Sequence, residues 1–191
     1  MTKPQRLYSG ETFEHAGYCF KFEVEHDADI GPPWKEFDNY GIVSEWTCRD
    51  KGPGERILLG RLGRETESSR FLFLYYDFEE TMQLAAKNSW GLAPDDQKRL
   101  AETLGRQPSN AEIRAEAVEQ DYQRLKDWCE GKWTWVYVKV TALDKDGKAT
   151  SHYSTLGGIE SDAEDYLTEV AYELAGELIP ELAAEGAKVN E

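Results

Sequence analysis

WTWVYVKVTA, residues Trp133–Ala142, is the clearest strand pattern in this chain. Successive side chains of a strand point to opposite faces, so each face collects every second residue. One face would carry Thr134, Val136, Val138, Val140 and Ala142, and the other would carry Trp133, Trp135, Tyr137, Lys139 and Thr141. We therefore expect the valine face of this strand to be buried in the core.

The residues that follow predict a hairpin. Residues 144–147, DKDG, are typical of a tight turn, in which Gly147 supplies the positive φ that such turns need. The partner strand is expected at Ala149–Leu156. The pair Gly157 and Gly158 then makes a sharp approach to the last helix.

An acidic helix is expected next. Ser161 and Glu164 have the spacing of a capping box, which would open the helix. Pro180 has no backbone N–H, so the helix is predicted to end near Ile179. Its expected core face comprises Ala163, Tyr166, Leu167, Val170, Leu174 and Leu178.

Further strand patterns lie toward the N-terminus. Glu11–Glu14 and Tyr18–Glu25 predict a hairpin, because apolar residues alternate in the second of them. Another alternating strand is expected at Gly41–Arg49. Arg56–Gly60 and Phe71–Tyr76 are short apolar runs, which are typical of buried strands.

Helices are expected at about residues 77–130. Asp77 and Glu80 match a capping box for a helix running to about Ser89, and a short helix is expected within residues 92–105. Ser109 and Glu112 form another capping box, which opens a longer helix. The apolar stripe of that longer helix comprises Ile113, Ala117, Val118, Tyr122, Leu125, Trp128 and Cys129.

Strands and helices are therefore segregated along the chain, which favours an α+β fold. We expect one domain spanning residues 1–191, with a helical segment at about 77–130 between the N-terminal strands and the C-terminal hairpin and helix. The expected architecture is an antiparallel sheet of about five to seven strands with helices packed on one face.

The charge of the chain restricts its partners. It has 22 Lys and Arg against 37 Asp and Glu, a net charge of -15. Such a field repels nucleic acid and anionic membranes and attracts basic surfaces. The three cysteines have no metal-ligand spacing, and no apolar run reaches the roughly 20 residues that span a bilayer. We expect a soluble, cytoplasmic protein with reduced thiols, no direct nucleic-acid ligand and no membrane partner.

Acidic residues are concentrated in the C-terminal segment. Residues 160–187 contain nine acidic side chains and no basic one, and from Asp165 the acids recur at every fourth position. This row drifts around a helix by about 40° per step, so only Asp165, Glu169 and Glu173, or these three together with Glu177, share an outward face. The candidate partner-binding residues are Glu160, Asp162, Asp165, Glu169, Glu173 and Glu177. The alternative interpretation is a solvated face that keeps the protein soluble.

Two acidic clusters have the chemistry of metal ligands. His26, Asp27 and Asp29 would need a further ligand from elsewhere in the chain, and a polar loop is the alternative. The acids at 77, 79 and 80 resemble a magnesium-binding cluster, but capping and the helix dipole also account for them. Neither cluster is assigned a metal, and no cofactor is expected.

No catalytic residue is assigned. No serine lies in a nucleophile-elbow context, and the glycine pairs match no phosphate-binding loop. Trp133, Trp135 and Tyr137 have the side chains that stack on nucleobases, but the net charge argues against that ligand. Packing under the long helix, or in a second small core, is the alternative.

Two segments carry a family resemblance. Trp34–Trp46, WKEFDNYGIVSEW, and the region from Tyr122 through Asp162 to the final helix resemble small acidic proteins encoded on phages and other mobile elements of proteobacteria. The chain departs from that family's pattern at Tyr40, where the family has histidine, and at Gly157, where it has tryptophan. The resemblance implies a phage or mobile-element context and transfers no catalytic residue.

Charge and context together favour an accessory protein that acts by binding and not by catalysis. The leading hypothesis is an acidic inhibitor of a host defence system, of the anti-CRISPR or anti-restriction kind. It would act as a DNA mimic on the basic nucleic-acid-binding surface of a host protein or nucleoprotein complex. Two alternatives remain: a small enzyme with a carboxylate site around Asp27, Asp29, Asp38 or Glu45, and a phage interaction or assembly module.

Overall fold

A computed structural model of the chain describes residues 5–63 and 70–185. This part of the chain is α+β, with six strands and five helices. In chain order they are β1 (Thr12–His15), β2 (Tyr18–His26), α1 (Pro33–Glu36), β3 (Glu55–Leu62), β4 (Phe71–Asp77), α2 (Phe78–Lys87), α3 (Pro94–Leu104), α4 (Asn110–Cys129), β5 (Trp135–Leu143), β6 (Ala149–Glu160) and α5 (Glu164–Ala184).

The chain folds into two compact units. One unit combines the two ends of the chain, up to Ile30 and from Trp133 onward, and the other comprises Gly31–Lys132. The expectation of a single domain over residues 1–191 stays a prediction. Helices α2, α3 and α4 occupy the segment in which a helical region was expected.

The first unit is a four-stranded antiparallel sheet in the order β1-β2-β5-β6. Val138 is fully buried and pairs with Val24 on one side and with Leu156 on the other. The predicted valine face is therefore confirmed, and it packs under α5. The core comprises Leu7, Phe13, Tyr18, Phe20, Phe22, Val136, Val138, Val140, Ala142, Ile159, Leu167, Val170, Ala171, Leu174, Ala175, Leu178 and Leu182.

Helix α5 begins and ends differently from the prediction. Its N-cap is Ala163, whose side chain cannot accept a hydrogen bond. The predicted cap, Ser161, lies before the helix, and its hydroxyl accepts a hydrogen bond from the Thr134 amide at 3.0 Å. The helix also continues through Pro180 to Ala184. Burial of Leu182 beyond the proline contributes about 1.5–3 kcal/mol, which offsets much of the roughly 3 kcal/mol cost of an internal proline.

The core face of α5 is largely as predicted, with one exception. Leu167, Val170, Leu174 and Leu178 are buried, but Tyr166 is half exposed. Ala171 and Ala175, which were not part of the predicted core face, are fully buried.

The second unit is built on the β3–β4 hairpin, which forms a separate two-stranded sheet. One face of this hairpin packs with α2 and α4 around a core of Leu58, Leu74, Tyr76, Ala85, Val118, Tyr122 and Leu125. The Ser109 capping box that opens α4 is present with both of its hydrogen bonds. Asp77 caps α2 by accepting the Glu80 amide hydrogen bond at 2.9 Å.

The predicted strand at Gly41–Arg49 is not a strand. This segment lies along β4 through two isolated bridges, Val43 with Tyr76 and Thr47 with Phe73. Between the bridges the Ser44 hydroxyl accepts the Tyr75 amide hydrogen bond at 3.0 Å. A side chain thus replaces a backbone partner, and the ladder is interrupted.

The six described strands are divided between two sheets, so the expected single sheet of five to seven strands is not observed. The β3–β4 hairpin instead buries its apolar face against α2 and α4, in a core separate from that of the four-stranded sheet. None of the described helices combines the length and the apolar character that a membrane span requires.

Candidate functional site

The outward side of α5 carries a row of carboxylates. Asp165, Glu169 and Glu173 are exposed, and they lie opposite the buried side of the same helix. We call these three residues the acidic face. Burial of the apolar side against the sheet fixes which way the row points, since side chains four apart lie on the same side of a helix.

The later acids of the row turn toward β6. The Ser154 hydroxyl donates a hydrogen bond to Glu177 at 3.0 Å. The His152 ring contacts Glu185 at 3.0 Å and Glu181 at 3.7 Å. The expected drift of the row around the helix accounts for this change of direction. Glu177, although predicted as a partner-binding residue, is thus engaged within the protein.

Two other predicted site residues lie outside the row. Glu160 is half buried at the end of β6, where it pairs with Trp135 in the ladder. Asp162 is exposed in the turn before α5. At the start of the helix, Glu164 forms an ion pair with Arg6. Of the six predicted residues, the structure therefore brings three into one outward row.

The loop at His26–Asp29 has a structural role. One oxygen of the Asp27 carboxylate accepts the Gly158 amide hydrogen bond at 3.1 Å, and the other accepts the Asp29 amide at 3.3 Å. A Cβ at Gly157 would lie 2.5 Å from the Asp27 carboxylate, and Gly158 has a φ of 74°. The glycine pair thus fits a β-bulge beside this aspartate. Within residues 5–63 and 70–185, no group of three or more potential ligands is placed to hold a metal.

The remaining predicted carboxylates lie apart from any cluster that the structure describes. Glu45 pairs with Lys35 at 2.7 Å, and Asp38 is exposed. Trp133 and Trp135 are buried and pack edge-to-face on each other, with ring centroids 5.1 Å apart. Neither tryptophan is therefore displayed for stacking on a base.

A partly buried polar cluster in the second unit has no counterpart in the sequence predictions. The Tyr76 hydroxyl donates to Asp121 at 2.6 Å, and the Gly41 amide donates to the same oxygen at 2.9 Å. The next amide, of Ile42, donates to Thr81 at 2.9 Å. A Cβ at Gly41 would lie 2.6 Å from the Asp121 carboxylate, so the close approach requires glycine.

Burial determines the ionisation of this cluster. Desolvation raises the pKa of Asp121 to about 6, although the hydrogen bonds from Tyr76 and Gly41 act in the opposite direction. The pKa of Tyr76 is also raised, first by burial and then by the neighbouring Asp121 carboxylate. The cluster anchors the end of the WKEFDNYG segment, so its role is to hold that loop. No sequence spacing signals a contact between residues 45 positions apart.

Comparisons of this chain with protein-family models, with curated proteins and with solved structures found no match.

Proposed function

We propose that this protein acts by binding a basic partner through the acidic face of α5. In its most specific form, the proposal is an accessory protein of a phage or mobile element that inhibits a host defence system in the host cytosol. As an inhibitor of the anti-CRISPR or anti-restriction kind, it would occupy the basic nucleic-acid-binding surface of a host protein or nucleoprotein complex. Catalysis plays no part in this account.

The observation that supports this proposal is the outward row of Asp165, Glu169 and Glu173 on a helix whose other side is buried. The net charge of -15 adds a long-range field of the same sign. Clustered charges of one sign steer oppositely charged partners and raise the association rate.

Geometry limits the form that mimicry of DNA would take. Acids four residues apart on a helix present one charge about every 6 Å of axis, whereas a DNA strand presents one about every 3.4 Å. A single row is sparser than a phosphate strand. The proposed mechanism is therefore electrostatic occupation of a basic surface, and a phosphate-by-phosphate replacement would need a second row.

The test is capture of a partner from lysate of the native host, with identification by mass spectrometry. The wild type is compared with a triple variant of the acidic face, Asp165→Lys, Glu169→Lys and Glu173→Lys. A matched control places the same charge change on exposed acids of the second unit, Asp38→Lys, Asp50→Lys and Glu102→Lys. We expect the control to retain a basic partner that the acidic-face variant loses. Equal capture by both variants would remove the acidic face from the mechanism.

A further inference from the structure

The two edges of the four-stranded sheet are unequal. The β1 edge has four residues and includes Glu14, whereas the β6 edge has twelve. From Thr150 to Gly158 this longer edge contains no Lys, Arg, Asp, Glu or Pro. Those are the residues with which proteins usually protect an exposed edge against pairing with another strand. Among the described strands, only β5 pairs with β6.

The hydrogen-bond pattern shows which groups face the open side of β6. The Phe22 amide donates to Glu11, and the Phe22 carbonyl accepts from Gly10, so both groups of Phe22 point away from β5. Backbone groups alternate in direction along an antiparallel pair. Phe22 pairs with Val140, so the backbone groups of Val140 point toward β6, where Val140 pairs with Ser154. The amides and carbonyls of the residues on either side of Ser154, Tyr153 and Thr155, therefore point outward, away from β5.

Side chains along this edge give it a chemical preference. On the helix side, Glu177 contacts Ser154, and Glu181 and Glu185 contact His152. On the other face Tyr153 is 59% exposed, whereas Leu156, which pairs with Val138 and shares its helix-facing side, is 41% exposed near the end of the edge. A strand added here would lie beside carboxylates on one face and beside an aromatic ring on the other.

We propose that β6 is a docking edge for an extended basic segment of a partner, which adds to the sheet as a fifth strand. The backbone groups of Tyr153 and Thr155 would pair with it, and its basic side chains would lie beside Glu177 and Glu181. Strand addition of this kind takes affinity from main-chain hydrogen bonds and specificity from alternate side chains. The inference rests on the proposed function for the basic class of the partner.

A second copy of this chain fits the edge poorly. Pairing of β6 with the β6 of another copy about a two-fold axis would place the two α5 helices on the same side of one continuous sheet. Their carboxylates would then face each other, and like charges brought together at an interface disfavour association. Charge complementarity therefore selects a basic segment over self-association.

The edge is tested with a fluorescein-labelled peptide of alternating valine and lysine, using fluorescence anisotropy. The variant Thr155→Pro removes one outward amide and leaves the ladder with β5 intact, because proline is tolerated at such an edge position. The variant Thr155→Ala retains that amide and is the matched control. We expect Thr155→Pro to bind about tenfold more weakly than the wild type, and Thr155→Ala to bind like the wild type. Circular dichroism verifies that both variants are folded.

Charge and pairing are then separated. The double variant Glu177→Gln and Glu181→Gln should bind the valine–lysine peptide more weakly than the wild type does. Its affinity for a valine–threonine peptide should be unchanged. Hydrogen exchange at the Tyr153 and Thr155 amides should slow when the peptide is bound. Equal affinity of Thr155→Pro and Thr155→Ala would overturn the proposal, as would a wild-type dimer that Thr155→Pro converts to monomer.

The peptide experiment uses no host partner and leaves Asp165, Glu169 and Glu173 unchanged. A negative result in the peptide experiment would therefore not count against the proposed role of the acidic face. Loss of host-partner capture in the acidic-face variant, with normal peptide binding, would support both surfaces. Normal peptide binding together with equal host capture by the two triple variants would retain the edge and overturn the proposed function.

Discussion

Val138 lies at the centre of the first core, with no exposed surface. Its neighbours across both ladders, Val24 and Leu156, are apolar. The variant Val138→Asp would put a charge there with no partner, and an uncompensated buried charge costs about 3–5 kcal/mol. We expect this loss in urea denaturation.

The matched control is Lys139→Gln, on the opposite face of the same strand. Its ammonium lies 5.4 Å from the Tyr153 ring centroid, a half-exposed contact worth at most about 1 kcal/mol. If Val138→Asp were as stable as Lys139→Gln, the two faces of β5 would be assigned the wrong way round.

Asp121 predicts a pH dependence of stability. Its folded-state pKa of about 6 is above the unfolded value of about 3.9, so the folded state binds more protons between these values. Its contribution is therefore present at low pH and is lost as pH rises through the folded pKa. The difference between the two pKa values corresponds to about 3 kcal/mol.

The measurement is urea denaturation of wild type and Asp121→Asn at several pH values from about 4 to 7. The free energy of unfolding of the wild type should fall by about 2 kcal/mol relative to the variant over this interval, because part of the effect lies below pH 4. The asparagine oxygen can still accept from Tyr76, so the variant should remain folded. Parallel pH profiles would show that Asp121 titrates at its ordinary pKa.

This cluster illustrates what sequence patterns cannot supply at the residue scale. Asp121 occupies an ordinary polar position beside Tyr122 on α4, and its hydrogen bonds come from Tyr76 and Gly41, which are distant along the chain. Periodicity reports which face of an element is apolar, but it carries no information on which distant elements meet. The raised pKa follows only once those elements are packed.

At the element scale, the path of α5 beyond Pro180 can be tested. Leu182 is buried on the sheet, whereas the neighbouring Ala183 is exposed. We expect Leu182→Ala to lower the free energy of unfolding by about 2–5 kcal/mol, through lost burial and a cavity. Ala183→Ser should change it by about 0.5 kcal/mol or less. A negligible effect of Leu182→Ala in thermal unfolding would mean that the helix ends at the proline.

Elements with a strong period were predictable, and those decided by single hydrogen bonds were not. The hairpins β1–β2 and β5–β6 follow from alternation and turn residues, and α4 follows from its capping box and stripe. The segment at 41–49 alternates equally well, but the Ser44 hydroxyl takes the Tyr75 amide and interrupts pairing. The end of α5 depended on whether tertiary burial exceeds the cost of proline, which local sequence does not reveal.

At the scale of the whole molecule, folding should be independent of metal and of disulfides. Cys19, Cys48 and Cys129 are free thiols, and the described residues present no ligand cluster. We expect the same melting temperature with and without EDTA, and with and without reductant. A substantial decrease with EDTA would reveal a structural metal, and one with reductant would reveal a disulfide between chains.

The candidate site was predictable in part. The four-residue spacing of the acids and the drift of an α-helix together predicted that Asp165, Glu169 and Glu173 share one side, and the structure places them there. The hydrogen bond of Glu177 to Ser154 was not predictable, because it depends on where β6 lies beside the helix. The division into two sheets likewise depends on which helices cover the β3–β4 hairpin, which the strand patterns do not reveal.

The central claim is that the acidic face accelerates encounter with a basic partner. Its most direct test is the association rate constant for the captured partner, measured by stopped-flow fluorescence as salt shortens the Debye length from about 30 Å at 0.01 M to about 3 Å at 1 M. The wild type and the control variant Asp38→Lys, Asp50→Lys and Glu102→Lys should associate fast at low salt and slow steeply as salt rises. The variant Asp165→Lys, Glu169→Lys and Glu173→Lys should associate more slowly at low salt and depend less on salt. If it associated as fast as the wild type at low salt, the acidic face would be only a solvated surface.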